Sequence, residues 1–95
     1  SPVQVKVLPL SEHYLDYASQ VADKLNAAGL RVETDDRNEK IGYKIREAQM
    51  QKVPYMLVIG EKEVESGNIS VRDRAEGDLG MMPLDDFIEK VQTAD

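Results

Sequence analysis

The run Tyr55-Met56-Leu57-Val58-Ile59, set between Val53-Pro54 and Gly60, constrains this chain more than any other stretch. It is too short for a buried helix and lacks the alternation of a strand with one wet face. It predicts a central strand covered on both sides, which requires helices on both faces of a sheet.

The flanking segments supply those elements. Val3, Val5, Val7 and Leu8 make a short apolar strand that Pro9 ends. Ser11 is a natural N-cap, and Tyr14, Tyr17, Ala18, Val21, Leu25 and Ala28 then recur at helical spacing up to Gly29. Leu30 to Thr34 alternates as a second strand, and Asp35 to Asn38 reads as a polar loop. A second helix is predicted from about Lys40 to Gln51, with Ile41, Ile45, Ala48 and Met50 as its apolar positions. Gly42 inside it signals either a close approach by backbone or ligand, or a tolerated surface glycine.

After the central strand, Glu61 to Asn68 reads as a charged turn. Ile69 and Val71, with Arg72, suit a strand antiparallel to the third, and Arg74 to Gly80 reads as a polar loop. Pro83 and Leu84 open a last helix with Asp85 and Asp86 in its first turn, where negative charge suits the helix dipole. Its stripe is Leu84, Phe87, Ile88 and Val91, while Met81-Met82 should pack at the junction before it. The order β-α-β-α-β-β-α predicts one α/β domain over residues 1–95, with a mixed, mostly parallel sheet.

Chemistry is hard to find in this chain. Cysteine is absent, which excludes disulfides and thiolate metal sites. The single histidine, His13, sits beside Glu12 as a surface residue would. There is no phosphate-binding glycine loop of either common type. Asp35-Asp36 follows a strand, where α/β ligands bind, but neighbouring carboxylates in extended chain point apart. No catalytic or metal-ligating set is expected, nor a membrane span. Tyr14, Tyr17 and Tyr55 fit the core, as do Met50 and Met56; Tyr43 alone among the tyrosines suits contact with a base.

Net charge is −6, which by itself points away from nucleic acid. The charge is uneven, however. Residues 37–52 hold Arg37, Lys40, Lys44, Arg46 and Lys52 against Glu39 and Glu47, or +3, leaving −9 elsewhere. Screening over about 8–10 Å lets such a local face act independently of distant acidic residues.

From Asp36 the residues resemble a known family. Asp36-Arg37-Asn38-Glu39-Lys40-Ile41-Gly42-Tyr43-Lys44-Ile45-Arg46-Glu47 is similar to the signature of the threonyl-tRNA synthetase anticodon-binding domain. Val53 to Glu63 resembles its central strand and exit, and Gly67 to Arg72 with Gly77 to Gly80 resembles its closing hairpin. The resemblance implies the class II synthetase anticodon-binding fold, with about five strands and three flanking helices. It implies a homodimeric cytoplasmic parent that ligates threonine to tRNA with ATP and magnesium and carries zinc, both in another domain. This segment would then hold no cofactor, catalyse nothing, and be a monomer in isolation. Family loops after Arg72 are often basic; here the loop reads Asp73-Arg74-Ala75-Glu76-Gly77-Asp78.

Threonine codons leave G and U as the last two anticodon bases, with the first variable. Unpaired G offers acceptors to an arginine fork and N–H donors to a carboxylate; U suits an amide. The resemblance implies base reading by Asn38, Arg46, Glu63 and Arg72: Arg72 and Glu63 on the G, Asn38 with Arg46 or backbone on the U. Lys40, Lys44 and Lys52 would meet phosphates of the tRNA(Thr) anticodon loop. Simpler alternatives remain: Arg72 and Glu63 pairing across the hairpin, or Asn38 serving as an N-cap. The fold also suits a protein-interaction or dimerisation module, or a small-molecule domain with its ligand near Asp35-Asp36.

Overall fold

The computed structural model describes residues 2–93. Strand β1 (Val5–Pro9) leads through a 3-10 turn (Glu12–Tyr14) into helix α1 (Leu15–Ala27), strand β2 (Val32–Thr34), helix α2 (Ile41–Met50) and strand β3 (Tyr55–Ile59). Helix α3 (Glu61–Ser66), strands β4 (Asn68–Asp73) and β5 (Gly77–Pro83) and helix α4 (Leu84–Thr93) follow. The five strands form one sheet in the order β2-β1-β3-β4-β5.

β1 pairs in parallel with β2 and β3, whereas β3–β4 and β4–β5 are antiparallel. The mixed five-stranded sheet is as expected, but its parallel share is half rather than most. The reason lies in the connections. Helices α1 and α2 are long enough to carry the chain back across the sheet, and a parallel return needs roughly a dozen residues or more. The six residues of α3 cannot do this, so β4 must run back beside β3.

Two segments differ from the sequence expectation. The charged stretch after Gly60 is a short helix, which raises the helix count from three to four. The Glu63 carboxylate turns back to accept the Gly60 N–H at 2.6 Å, capping the first turn, and Gly67 ends the helix at φ 74, a left-handed conformation that glycine adopts without a Cβ clash. The polar loop is shorter than expected. Asp73 Oδ1 accepts the N–H groups of Ala75 and Glu76 in a tight turn, and Gly77 already begins β5.

The sheet separates two cores. Val5, Val7, Leu57, Ile59, Ile69 and Val71 face α1 and α4, where Ala18, Val21, Leu25 and Phe87 meet them. Tyr14, Tyr17 and Tyr55 pack against this cluster as expected, Tyr55 meeting Phe87 edge to face at 5.3 Å. On the other face Leu8 and Met56 pack under Ala48 and Val53, flanked by Ile41 and Ile45 of α2. That second core draws nothing from β4 or β5 among the described residues, so α2 leaves part of this face open. Register places Ser70 and Arg72 there, opposite Val58 and Met56.

Met50 is a correction. Expected in the core, it is 76% exposed, because its position on α2 lies on the side away from the sheet. Met81 and Met82 belong to β5 instead of a junction; Met82 packs on the first core while Met81 is half-exposed. Gly42 meets no close backbone among the described residues, since a Cβ there would have nothing within 4 Å.

Candidate nucleic-acid interface

The loop between β2 and α2 is held by a chain of charges. Asp35 is buried, and its carboxylate accepts Nε and NH2 of Arg37 at 2.9 and 2.8 Å, as well as the Arg37 backbone N–H at 3.2 Å. The same guanidinium reaches across to Glu47 on α2 and lies over the Tyr43 ring, 5.7 Å from its centroid. Hydrogen bonding to Arg37 holds the carboxyls of Asp35 and Glu47 below their usual range and pushes the Arg37 guanidinium up; the Glu47 carboxylate raises the Tyr43 hydroxyl. Arg37 therefore ties the loop to α2 and is spent on internal contacts.

With that loop pinned, Asn38 and Lys40 are directed outward and exposed. Lys40, not Asn38, is the N-cap of α2, and the Asn38 side chain makes no hydrogen bond among the described residues. The N-cap alternative for Asn38 is thereby removed. Arg46 and Lys52 are exposed as well, and neither forms an ion pair among the described residues.

Lys44 is the clearest correction. It was expected at a phosphate, yet it is only 2% exposed. Its ammonium donates to the carbonyls of Pro9 and Asp35, both at 3.1 Å, stapling α2 to the exits of β1 and β2. The cause is helical spacing: position 44 lies three residues after Ile41 and four before Ala48, on the face turned to the sheet. That spacing was readable in the sequence and outweighs the residue's charge.

On the open face, Glu63 is also buried, with Oε1 on the Gly60 N–H and Oε2 accepting the Ser70 hydroxyl, each at 2.6 Å. It does not pair with Arg72, so the cross-hairpin ion pair is not formed. Arg72 lies two residues beyond Ser70 on the same face, half-buried. Its Nε is sealed from solvent without a hydrogen-bond partner among the described residues. The structure thus places Glu63, Ser70 and Arg72 on one face of the sheet, while Asn38 lines a cavity at the ends of β1 and β2 and Arg46 lies on the outer side of α2, apart from it.

A cavity of about 310 Å³ opens at the ends of β1 and β2, lined in part by Ser11, His13, Asp36 and Asn38. The Asp35 carboxylate turns inward to Arg37, so the acidic pair does not converge on it. Among the described residues no three His, Cys, Asp or Glu side chains come together as a metal site would need.

Residues 4–94 match the family described as "Anticodon binding domain". The chain belongs to this anticodon-binding domain family. Its relatives are consistent on the point. The threonine–tRNA ligase of Caldanaerobacter subterraneus subsp. tengcongensis is 62% identical over 91 residues, 96% of this chain, and that of Clostridioides difficile is 57% identical over the same share. The chain spans 14% of the length of each of these ligases. Among solved anticodon-binding domains, the RNA binding domain of Cryptosporidium parvum threonyl-tRNA synthetase superposes with a TM-score of 0.91 at 36% identity, over 98% of this chain and 24% of that one. Histidyl-tRNA synthetase of Nostoc sp. PCC 7120 gives 0.89 at 25% identity, over 97% and 22%. The anticodon-binding fold therefore recurs across synthetases, while the high identities lie with the threonine enzymes.

Proposed function

We propose that this domain reads the anticodon of a threonine tRNA, on the face that α2 leaves open. The observation that carries this reading is the division of the basic side chains. Lys6 is paired with Glu33, Arg37 with Asp35 and Glu47, and Lys44 with two carbonyls. Arg46 and Arg72 have no such partner among the described residues, and Arg72 carries a buried donor left unsatisfied. The Nη donors of Arg72, which unlike Nε are not sealed, also make no hydrogen bond among the described residues, and a base edge supplies acceptors in a matching plane.

In this reading Arg72 forks onto O6 and N7 of the middle G. Glu63 accepts its N–H donors: the Gly60 N–H and the Ser70 hydroxyl fix the carboxylate, and each oxygen keeps a lone pair for a base. Asn38 and Arg46 take the U. Lys40 and Lys52 meet phosphates, and Lys44 leaves that set for a positioning role. The surrounding acidic chain limits the number of neutralised phosphates, so affinity rests on few contacts.

We place the ligase reaction, with the ATP, magnesium and zinc proposed for it, in a part of the parent outside this segment, which spans 14% of the ligases it matches. Cysteine is absent and the described residues form no cluster of metal-ligating side chains, so zinc does not fit here. The parent is proposed to be a cytoplasmic homodimer and this domain a monomer by itself. Among the described residues, no helix is long and apolar enough to cross a membrane.

An NMR titration with a threonine anticodon stem-loop tests the reading. Shifts should concentrate at residues 36–46, 60–64 and 70–74. Shifts centred on α1 and α4 would place the partner on the opposite face and defeat it.

A further inference from the structure

The outer side of α2 is neither core nor ordinary polar surface. Tyr43 and Met50 stand seven residues apart, two turns along one stripe, and are 46% and 76% exposed. Between them runs a shallow groove of about 180 Å³, lined by these two with Arg46 and Glu47. Tyr43 is already held on one side, where the Arg37 guanidinium lies over its ring. A ring fixed in this way loses little freedom when something stacks on it.

We propose that this groove takes one unpaired nucleobase of the tRNA loop by stacking, without regard to its identity. Its volume falls below the roughly 300–1,000 Å³ of whole-ligand pockets, and suits a single planar ring better than a small molecule. Charge selects the occupant. Glu47 shares Arg37 with Asp35, whereas Arg46, Lys40 and Lys52, along α2 and at its two ends, have no ion-pair partner among the described residues. A phosphodiester backbone is drawn to such a stripe, whereas a peptide helix would need a longer apolar groove.

The inference rests on the anticodon reading above, and it extends that reading to a base outside the pair already assigned. Arg46 belongs both to the groove and to the U. One neighbour of that U is the G given to Arg72. The other is the base that follows the anticodon on its 3′ side, and this is the base assigned to the groove. Stacking serves it because every base has a π-face, so recognition there adds affinity without adding sequence choice.

The test uses this 95-residue chain and two stem-loops, one intact and one abasic at the position after the anticodon. Tyr43→Ala should bind the intact loop about 5- to 100-fold more weakly, the range that loss of one base–aromatic stack produces, and Met50→Ala about 2- to 10-fold, the range of one thioether–aromatic contact. Neither should weaken binding of the abasic loop, and both should still prefer G over A at the middle position. Tyr43→Phe, which keeps the ring, should match the parent. Equal weakening of the two loops, or no weakening of the intact one, overturns the assignment. A change in the sedimentation of either variant without RNA would mark a self-association surface and overturn it as well. If the unmodified domain shows no preference for G over A, the anticodon reading itself fails, and the groove assignment goes with it.

Discussion

Removing Lys44 should damage the fold, not the phosphate grip. In Lys44→Ala the carbonyls of Pro9 and Asp35 lose the buried ammonium that donates to each at 3.1 Å. Each orphaned acceptor costs about 1–3 kcal/mol. The stem methylenes leave the inner face of α2 too, at about 0.8 kcal/mol for each one buried. Against this, the ammonium no longer has to be desolvated, which returns a few kcal/mol. The net loss should be about 2–4 kcal/mol, or a fall of roughly 10–25 °C in Tm for a domain of this size. Lys44→Met keeps the stem and should fall by about half as much. Lys40→Ala and Lys52→Ala, on exposed side chains, should stay within about 0.5 kcal/mol of the parent. Thermal and urea melts of the four variants give the comparison. A Lys44→Ala protein that melts like its parent, yet binds every RNA loop more weakly, would show that the ammonium swings out to phosphate and would refute the argument.

Further outcomes follow from the same geometry. Arg72→Ala should lose about 1–3 kcal/mol of discrimination between loops with G and with A at the middle position, while the domain still folds cooperatively, because the lost stem packing is offset by removal of the unsatisfied Nε; competition binding beside melting curves checks both. Because Arg37 lowers the Asp35 and Glu47 carboxyls, their contribution to stability is present above the unfolded values near pH 4 and is lost as pH falls through the folded ones, so urea midpoints of Arg37→Ala should decline less steeply than the parent's between about pH 4 and 2. Affinity for the stem-loop should be about micromolar or weaker and fall steeply with salt, and Lys40→Ala or Lys52→Ala should each reduce the logarithmic salt slope by about 0.7, measured by titration from low to physiological salt.

Much of this architecture was legible before any coordinates. β3 is found where five apolar residues stand between Pro54 and Gly60, and α1, α2 and α4 lie within a few residues of where their periodicity and end signals put them. These are local properties, fixed by near neighbours in the chain. The character of the interface was legible differently, through the resemblance of residues 36–63 to a family; spacing and charge alone left Asn38 as a cap and Arg72 as half of an ion pair.

Helix α3 is signalled locally, by Glu63 capping the Gly60 N–H three residues back and by Gly67 at its end, and its shortness makes the next strand antiparallel. What the chain could not declare depends on contacts that packing creates. The face on which Lys44 lies was readable from helical spacing, but its two carbonyl partners were not, and Met50 lies on the opposite side of the same helix. A charge counts as surface only until a helix turns it toward two carbonyls, and a methionine counts as core only until the helix turns it away. The sequence by itself determined most of the elements, because hydrophobic period and end signals act over a few residues, and its resemblance to a family supplied the proposed interface residues. Only the tertiary structure decided which charges are held by internal partners and which are left exposed, because a side chain is spent or available according to the atoms that packing brings within about 3 Å of it.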